Sequence, residues 1–313
     1  MMESKLEKAA CFVKLPFIFS RENLPQIEIE NLDAIKICKE QGVSYFVVPT
    51  MPFREIHQDE VKIKKELKLK GLPGVLPTDV DSLKGFNIFL RSWAYPTTFA
   101  LKAIEAIGGR NELSLADHAR ALEWPNYVDS SFTQRDIGLM TGADIKKLAG
   151  RYAIDGNVFV KTADKKSYGH GIVASIDEVV EKAPHGIPYL SDERKMDTAK
   201  IEPATQVILS QPISFKADAK GNKEYRVWVF NKKVLAVRRY GNPEDTDVPG
   251  ETALFTGRFV EAHADRLPAH YVVDVGLANK LGPVVVEIND IMSAGNLSPD
   301  IYRKILDAYT GKK

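Results

Sequence analysis

The spacing of apolar positions divides the chain into two textures. In the first, short apolar runs alternate with stretches of helical period. Cys11–Val13 is such a run. Asn31 stands ahead of a stripe formed by Leu32, Ile35 and Cys38 and stopped by Gly42, which predicts a helix capped at its start and closed by a left-handed residue. Val43–Val48 predicts a buried strand ended by Pro49, and Phe86–Leu90 another. Thr98–Ile107 predicts a helix with Leu101, Ile104 and Ile107 on one stripe ahead of Gly108-Gly109. Strand, helix, strand in this order implies a small open α/β domain. Residues Ser114–Gly150 read as helical and connecting, with His118 and Trp124 as structural side chains.

From about Arg151 the texture becomes strand-rich. Val158–Lys161 and Ile172–Ala174 flank a glycine-containing loop, and Ser175 with Glu178 has capping-box spacing for a helix through Lys182. Ser191–Pro203 is polar and reads as an exposed loop. Gln206–Ile213, Glu224–Phe230 and Val234–Tyr240 predict strands, the last two joined by a tight Asn231-Lys232 turn. Gly241–Gly250 reads as a surface loop, Phe259–Leu267 as a short helix and Pro299–Tyr309 as a terminal one. Between Tyr271 and Asn289 lie two β-branched runs, Tyr-Val-Val-Asp-Val-Gly and Gly-Pro-Val-Val-Val-Glu-Ile-Asn, arranged as neighbouring strands.

Composition narrows the setting. The 313 residues hold 43 Lys+Arg against 42 Asp+Glu, so no global basic field points to nucleic acid and no acidic tail to a solvating segment. Two cysteines, Cys11 and Cys38, are too few for a disulfide framework, which favours a reducing cytoplasm. Lys5, Lys8 and Lys14 interrupt what a signal peptide would need as an apolar region. No apolar run approaches the ~18 residues of a membrane span. Lysine is dense over Lys62–Lys70, either as an anion-binding patch or as a solvated helix face, and the interleaved Ile63, Leu67 and Leu69 favour the latter. Oligomeric state leaves no signal.

The candidate chemistry sits in the strand-rich half. Period-two alternation puts Glu287 and Asn289 on one face of their strand, and pairing with the preceding strand brings Asp274 beside them. Hard oxygen ligands on a rigid sheet suit Mg²⁺. The plain alternative is a wet strand face. Lys161 ends an apolar strand ahead of Thr162-Ala-Asp-Lys-Lys-Ser-Tyr-Gly-His-Gly171, where glycines let backbone N–H groups approach phosphate; the alternative is an ordinary hairpin. It is not a Walker A loop, and His170 reads as a loop residue rather than a base. Glu224-Tyr-Arg226 opens one strand and Arg238-Arg239 ends its partner. These are either exposed cross-strand pairs or guanidinium clamps for phosphate or carboxylate.

The succession of strand lysine, glycine loop, apolar strand near Ile208–Gln211, Glu-x-Arg, paired arginines, Asp274 and Glu287-x-Asn289 resembles the ATP-grasp superfamily over roughly Gly156 to Asn296. The resemblance implies a small N-terminal α/β domain (1–112) followed by an α+β ATP-grasp module with mixed and antiparallel sheets (113–313, divided at 203). It implies that Lys161 contacts ATP phosphates and that Lys165, Lys166, Gly169 and Gly171 belong to the loop closing over them. It places Ser210, Gln211 and Ile213 in the adenine hinge, and Arg226, Arg238 and Arg239 at a transferred phosphoryl or acyl-phosphate. Asp274, Glu287 and Asn289 would hold Mg²⁺, with Mn²⁺ as a substitute. The loop departs from the family form in its few glycines and its added Lys165-Lys166. A second ATP-binding charge is not identifiable, Lys146, Lys147 and Arg151 standing there by position alone. The implied reaction is ATP-dependent ligation of a small-molecule or peptide carboxylate to an amine; a phosphotransferase or a non-catalytic ATP-binding module are the alternatives.

Overall fold

Parallel pairing at one end of the chain and antiparallel pairing at the other follow from what lies between the strands. The structure is a computed structural model and describes residues 8–16, 26–50, 86–91, 110–111, 120–163, 171–182, 187–190, 196–199, 201–242, 244–291 and 298–310. The expectations for Lys62–Lys70, Thr98–Ile107, His118 and the loop residues Lys165, Lys166, Gly169 and His170 lie outside the described residues.

In the N-terminal part, β1 (Lys8–Pro16), α1 (Gln26–Gln41), β2 (Ser44–Thr50), β3 (Phe86–Arg91) and β4 (Arg110–Asn111) build a parallel sheet in the order β2-β1-β3-β4. Parallel neighbours need crossovers, which is why α1 separates β1 from β2. This is the expected open α/β domain. The helix begins at Gln26, upstream of Asn31, so Asn31 lies within it and caps nothing. Gly42 closes it at φ +69°, the left-handed position foreseen. Pro49 lies inside β2; because β2 is an edge strand, the missing N–H is tolerated there.

The short α2 (Ser130–Thr133) leads into a second sheet. Its strands are β5 (Ile137–Thr141), β6 (Asn157–Thr162), β7 (Ile172–Ser175) and β10 (Gln206–Ser210), with α3 (Ile145–Leu148) and α4 (Ile176–Lys182) between them. They pair antiparallel in the order β5-β10-β6-β7. The strand β5 corrects the reading of 114–150 as helical and connecting. Its five residues carry too little periodicity to announce a strand, and pairing with β10 makes it one. Gly138 within it is required, since a Cβ there would stand 2.3 Å from the Tyr152 hydroxyl. A ribbon of β8 (Ile187–Leu190) and β9 (Met196–Ala199) corrects the expected 191–203 loop. The Ser175 hydroxyl accepts the Glu178 N–H at 3.1 Å, capping α4 as its spacing suggested. One sheet face packs Met140, Val158, Val160, Val207 and Leu209 against Ile145, Ala149, Tyr152 and Val179. By register, the opposite face carries Leu139, Ile208 and Lys161.

A small ribbon, β11 (Ala217–Asp218) and β12 (Gly221–Asn222), leads into the third sheet. That sheet is built from β13 (Glu224–Phe230), β14 (Lys233–Arg239), β15 (Tyr271–Ala278) and β16 (Gly282–Asn289). Its order is β14-β13-β15-β16, antiparallel throughout. Asn231 and Lys232 both have positive φ, 50° and 59°, the tight hairpin turn expected. The helix α5 spans Gly250–Ala262 and not Phe259–Leu267. Its buried stripe is Thr252, Phe255, Thr256, Phe259 and Val260, and the two threonines conceal the apolar period. Phe255, Phe259 and Val260 pack with Val227, Val229, Val273, Val275, Val285 and Ile288 in one core that also takes in Ile208 and Ala163 of the second sheet. The terminal α6 (Pro299–Thr310) is tied to α1 by Arg303–Glu40 at 2.8 Å and Gln41–Asp307 at 3.0 Å.

Candidate active site

The site is a row of charges across the third sheet. Register places Arg238 opposite Arg226, Arg226 opposite Asp274 and Asp274 opposite Glu287, so the four side chains share one face. A β-bulge keeps the last of them there. Asp274 pairs with Glu287 but Val275 pairs with Val285, leaving Val286 as an extra residue. Strict alternation would put Val285 on the face of Glu287. The bulge instead returns Val285 and Ile288 to the core while Glu287 and Asn289 face the site.

The second sheet completes the row. The Lys161 ammonium of β6 donates to the Glu287 carboxylate, bridging the two sheets. At the other end, Arg238 donates from Nη2 to Asp300 of α6 at 2.8 Å. Read from α6 inwards, the charges run Asp300, Arg238, Arg226, Asp274, Glu287, Lys161. Each like-charged neighbouring pair is therefore flanked by opposite charge. Arg226 donates from Nε and Nη2 to the two Asp274 oxygens, both at 2.8 Å, in a side-on fork. Burial works against the Arg226 charge, but the Asp274 carboxylate and its hydrogen bonds overcome this and hold the guanidinium above its ordinary pKa. The Tyr240 ring lies over the guanidinium, 4.5 Å away.

Other expected site residues lie elsewhere or act differently. Arg239 is the next residue after Arg238, so its side chain leaves on the opposite face. There it holds both oxygens of Asp218 at 2.8 Å and the carbonyls of Gly221 and Asn222, anchoring the β11–β12 ribbon. Expected at a phosphoryl group, it is instead committed to structure. The fork of Arg226, expected at phosphate, is occupied by Asp274. Gly171 leaves room for an aromatic ring: a Cβ there would fall 1.9 Å from the Phe159 ring. Ser210 is buried and donates to the Gln211 carbonyl at 3.2 Å, while Gln211 exchanges hydrogen bonds with Asp136, its Oε1 accepting the Asp136 N–H at 3.1 Å. Ile213 follows in the link between the sheets. Lys146, Lys147 and Arg151 are exposed; the first two lie on α3, which packs behind the second sheet, away from the Lys161 face.

Asp274, Glu287 and Asn289 supply two carboxylates and one carboxamide oxygen, all hard donors on one face. Among the described residues no three His, Cys, Asp or Glu side chains gather as a metal cluster, so the amide is essential to the count. Asn289 Nδ2 approaches Asp274 at 3.5 Å, which turns its oxygen away from that carboxylate. The donor set fits a Mg²⁺ that keeps further positions for phosphate oxygens and water.

Glu224 belongs to the site, although the sequence pattern assigns it no role. It lies two residues before Arg226 on the same strand face, a signal that alternation carried. Burial, with the nearby Asp274 and Glu287 charges, pushes its pKa up to about 8, against the pull of Arg226 and Lys161. A folded-state value above the ordinary 4.5 means that the native protein binds a proton more tightly than the unfolded chain. The associated stability is full below about pH 4.5 and is lost as pH rises through about 8. Glu224→Gln, which mimics the protonated acid, is therefore expected to be stabilised relative to wild type by on the order of 1–3 kcal/mol more at about pH 9 than at about pH 5. Urea denaturation at both pH values measures this, and a pH-independent difference would rule out a protonated Glu224.

A family model for the ATP-grasp domain, family 2 of its clade, matches residues 132–303. Among curated proteins, none matches the chain by sequence. Among solved structures, D-cycloserine synthetase DcsG is 14% identical with a TM-score of 0.60, over 97% of this chain and 99% of its own. The RimK domain protein ATP-grasp from Sphaerobacter thermophilus DSM 20745 is 13% identical with a TM-score of 0.54, over 96% and 99%. D-alanine–D-alanine ligase from Bacillus anthracis, complexed with ATP, is 14% identical with a TM-score of 0.52, over 96% and 95%. At such identities the likeness concerns the fold. No helix among the described residues is long and apolar enough to cross a membrane.

Proposed function

The chain belongs to the ATP-grasp family, whose domain model spans more than half of it, and from that premise we propose that it is an ATP- and Mg²⁺-dependent ligase joining a carboxylate to an amine through an acyl-phosphate. The observation carrying this reading is the Lys161–Glu287 pair, in which a cation of one sheet meets the carboxylate row of the other. An ammonium and a carboxylate held together in this way mark where a phosphate and its metal would part them. Lys161 would then turn from Glu287 to phosphate oxygens, and Glu287, Asp274 and Asn289 would hold the ion. Bound Mg²⁺, or Mn²⁺, neutralises and bridges phosphate oxygens. Arg226 keeps Asp274 in its orientation. Arg238, with one prong on Asp300, lies beside it as the guanidinium for the transferred phosphoryl group or the acyl-phosphate. No enzyme nucleophile is required, since positioning and charge neutralisation supply the catalysis.

The test is product analysis over a panel of amino acids and peptides. ADP and phosphate released in step with amide formation are expected. AMP and pyrophosphate would refute the acyl-phosphate route, and ADP without amide would favour a phosphotransferase. Lys161→Ala is expected to weaken ATP binding by ~1.5–3 kcal/mol, the scale of a charge-assisted hydrogen bond. Calorimetry measures it; unchanged affinity would leave Lys161 as the counter-charge of Glu287 and nothing more.

A further inference from the structure

Behind the acidic row lies a guanidinium held by carbonyls rather than by a carboxylate. Arg135 stands in the link between α2 and β5, its side chain partly buried and its guanidinium enclosed. It donates from Nη1 to the Val285 carbonyl at 2.6 Å and the Thr133 carbonyl at 3.3 Å, and from Nη2 to the Val286 carbonyl at 3.0 Å. Its Nε finds no acceptor among the described residues. Burial alone draws its pKa down to about 10, so it keeps its charge at neutral pH. An enclosed cation is costly unless its donors are engaged, and here carbonyl dipoles engage them.

Two of those carbonyls belong to the bulge. Val286 is the extra residue of β16, and Val285 is the residue the bulge returns to the core. A bulge leaves backbone groups out of the ladder, which need a partner. The flanking residues strengthen the grip. Gln134, in the left-handed region at φ 48°, donates to the Pro283 carbonyl at 3.1 Å. Asp136 exchanges hydrogen bonds with Gln211 at the end of β10. Residues 134–136 thus hold β16 on one side and the link between the sheets on the other.

We propose that Arg135 is a positioning residue: by pinning the carbonyls of Val285 and Val286 it fixes the β16 bulge, and so keeps Glu287 and Asn289 facing the site beside Asp274. Loss of the bulge would shift alternation by one residue and direct Glu287 and Asn289 into the core. The inference rests on the reading of these side chains as metal ligands. Arg135 touches neither nucleotide nor metal, so its loss acts on metal-dependent binding and leaves the Lys161 contact alone.

The test is calorimetry of a non-hydrolysable ATP analogue with and without Mg²⁺, on wild type, Arg135→Met and Arg135→Lys, with circular dichroism to confirm folding. In wild type, Mg²⁺ should raise affinity. In Arg135→Met the metal-free affinity should be retained while the gain from Mg²⁺ falls by about 10- to 100-fold, the scale for groups that orient metal ligands. Arg135→Lys, which keeps the charge but not the planar fork, should fall between the two. A folded Arg135→Met with the full wild-type gain would overturn the proposal. Should the Met variant not fold, Arg135→Lys decides, and an undiminished gain there overturns it equally. Absence of any gain in wild type would instead overturn the metal-site reading itself.

Discussion

Glu287→Gln is expected to fold and to lose at least ~100-fold in turnover, equivalent to about 2.7 kcal/mol of transition-state stabilisation. The substitution keeps the shape of the side chain and one oxygen but removes the charge that meets Lys161 and would meet the ion. Two losses coincide at this residue. Without the carboxylate, the proposed Mg²⁺ site keeps a single charged ligand, Asp274, whose fork-bound oxygens are already shared with Arg226. The Lys161 ammonium, with a side chain only 9% exposed, also loses its counter-charge. The two are separable by measurement. Metal-free ATP binding should be unchanged or tighter in Glu287→Gln, because Lys161 no longer has to leave a carboxylate to reach phosphate, whereas the response to Mg²⁺ should vanish. Wild-type turnover at saturating Mg²⁺ would remove Glu287 from the metal site.

How far the sequence disclosed this arrangement differs by element. The Asn231-Lys232 turn, the Gly42 stop and the Tyr271–Asn289 strand pair are local: turn chemistry and β-branched runs specify them, and the structure has each where expected. Strand β5 was hidden because five residues hold little period and their partner β10 lies far along the chain. Helix α5 was displaced because Thr252 and Thr256 occupy core positions that an apolar pattern would fill with hydrocarbon. Alternation alone also erred within the site. It grouped Arg238 with Arg239, although consecutive strand residues point to opposite faces, and it passed over Glu224, two residues from Arg226. The bulge at Val286 and its Arg135 brace depend on contacts between segments far apart in the chain, which no local pattern encodes.

Asp274→Ala is expected to carry the largest cost in stability, about 3–5 kcal/mol, the scale for breaking a buried ion pair from one side. Asp274 and Arg226 are 1% and 5% exposed, on adjacent central strands of the third sheet. Arg226 cannot shed its proton to escape the loss, since its pKa is held above the ordinary value even with burial opposing it. The remaining hydrogen-bond donors of the fork would face the space left by the carboxylate. Arg226→Ala should cost less, because the Asp274 carboxyl that it orphans can take up a proton. The paired replacement Arg226→Met with Asp274→Leu removes both charges and fills the space with apolar volume, and it should recover most of the lost stability. It should not recover ATP turnover, because Asp274 is assigned to the metal. Urea denaturation of the single and double variants gives the coupling directly. A loss below about 1 kcal/mol in Asp274→Ala would place the pair in the class of weak surface bridges and contradict its burial, and activity in the double variant would exclude Asp274 as a metal ligand.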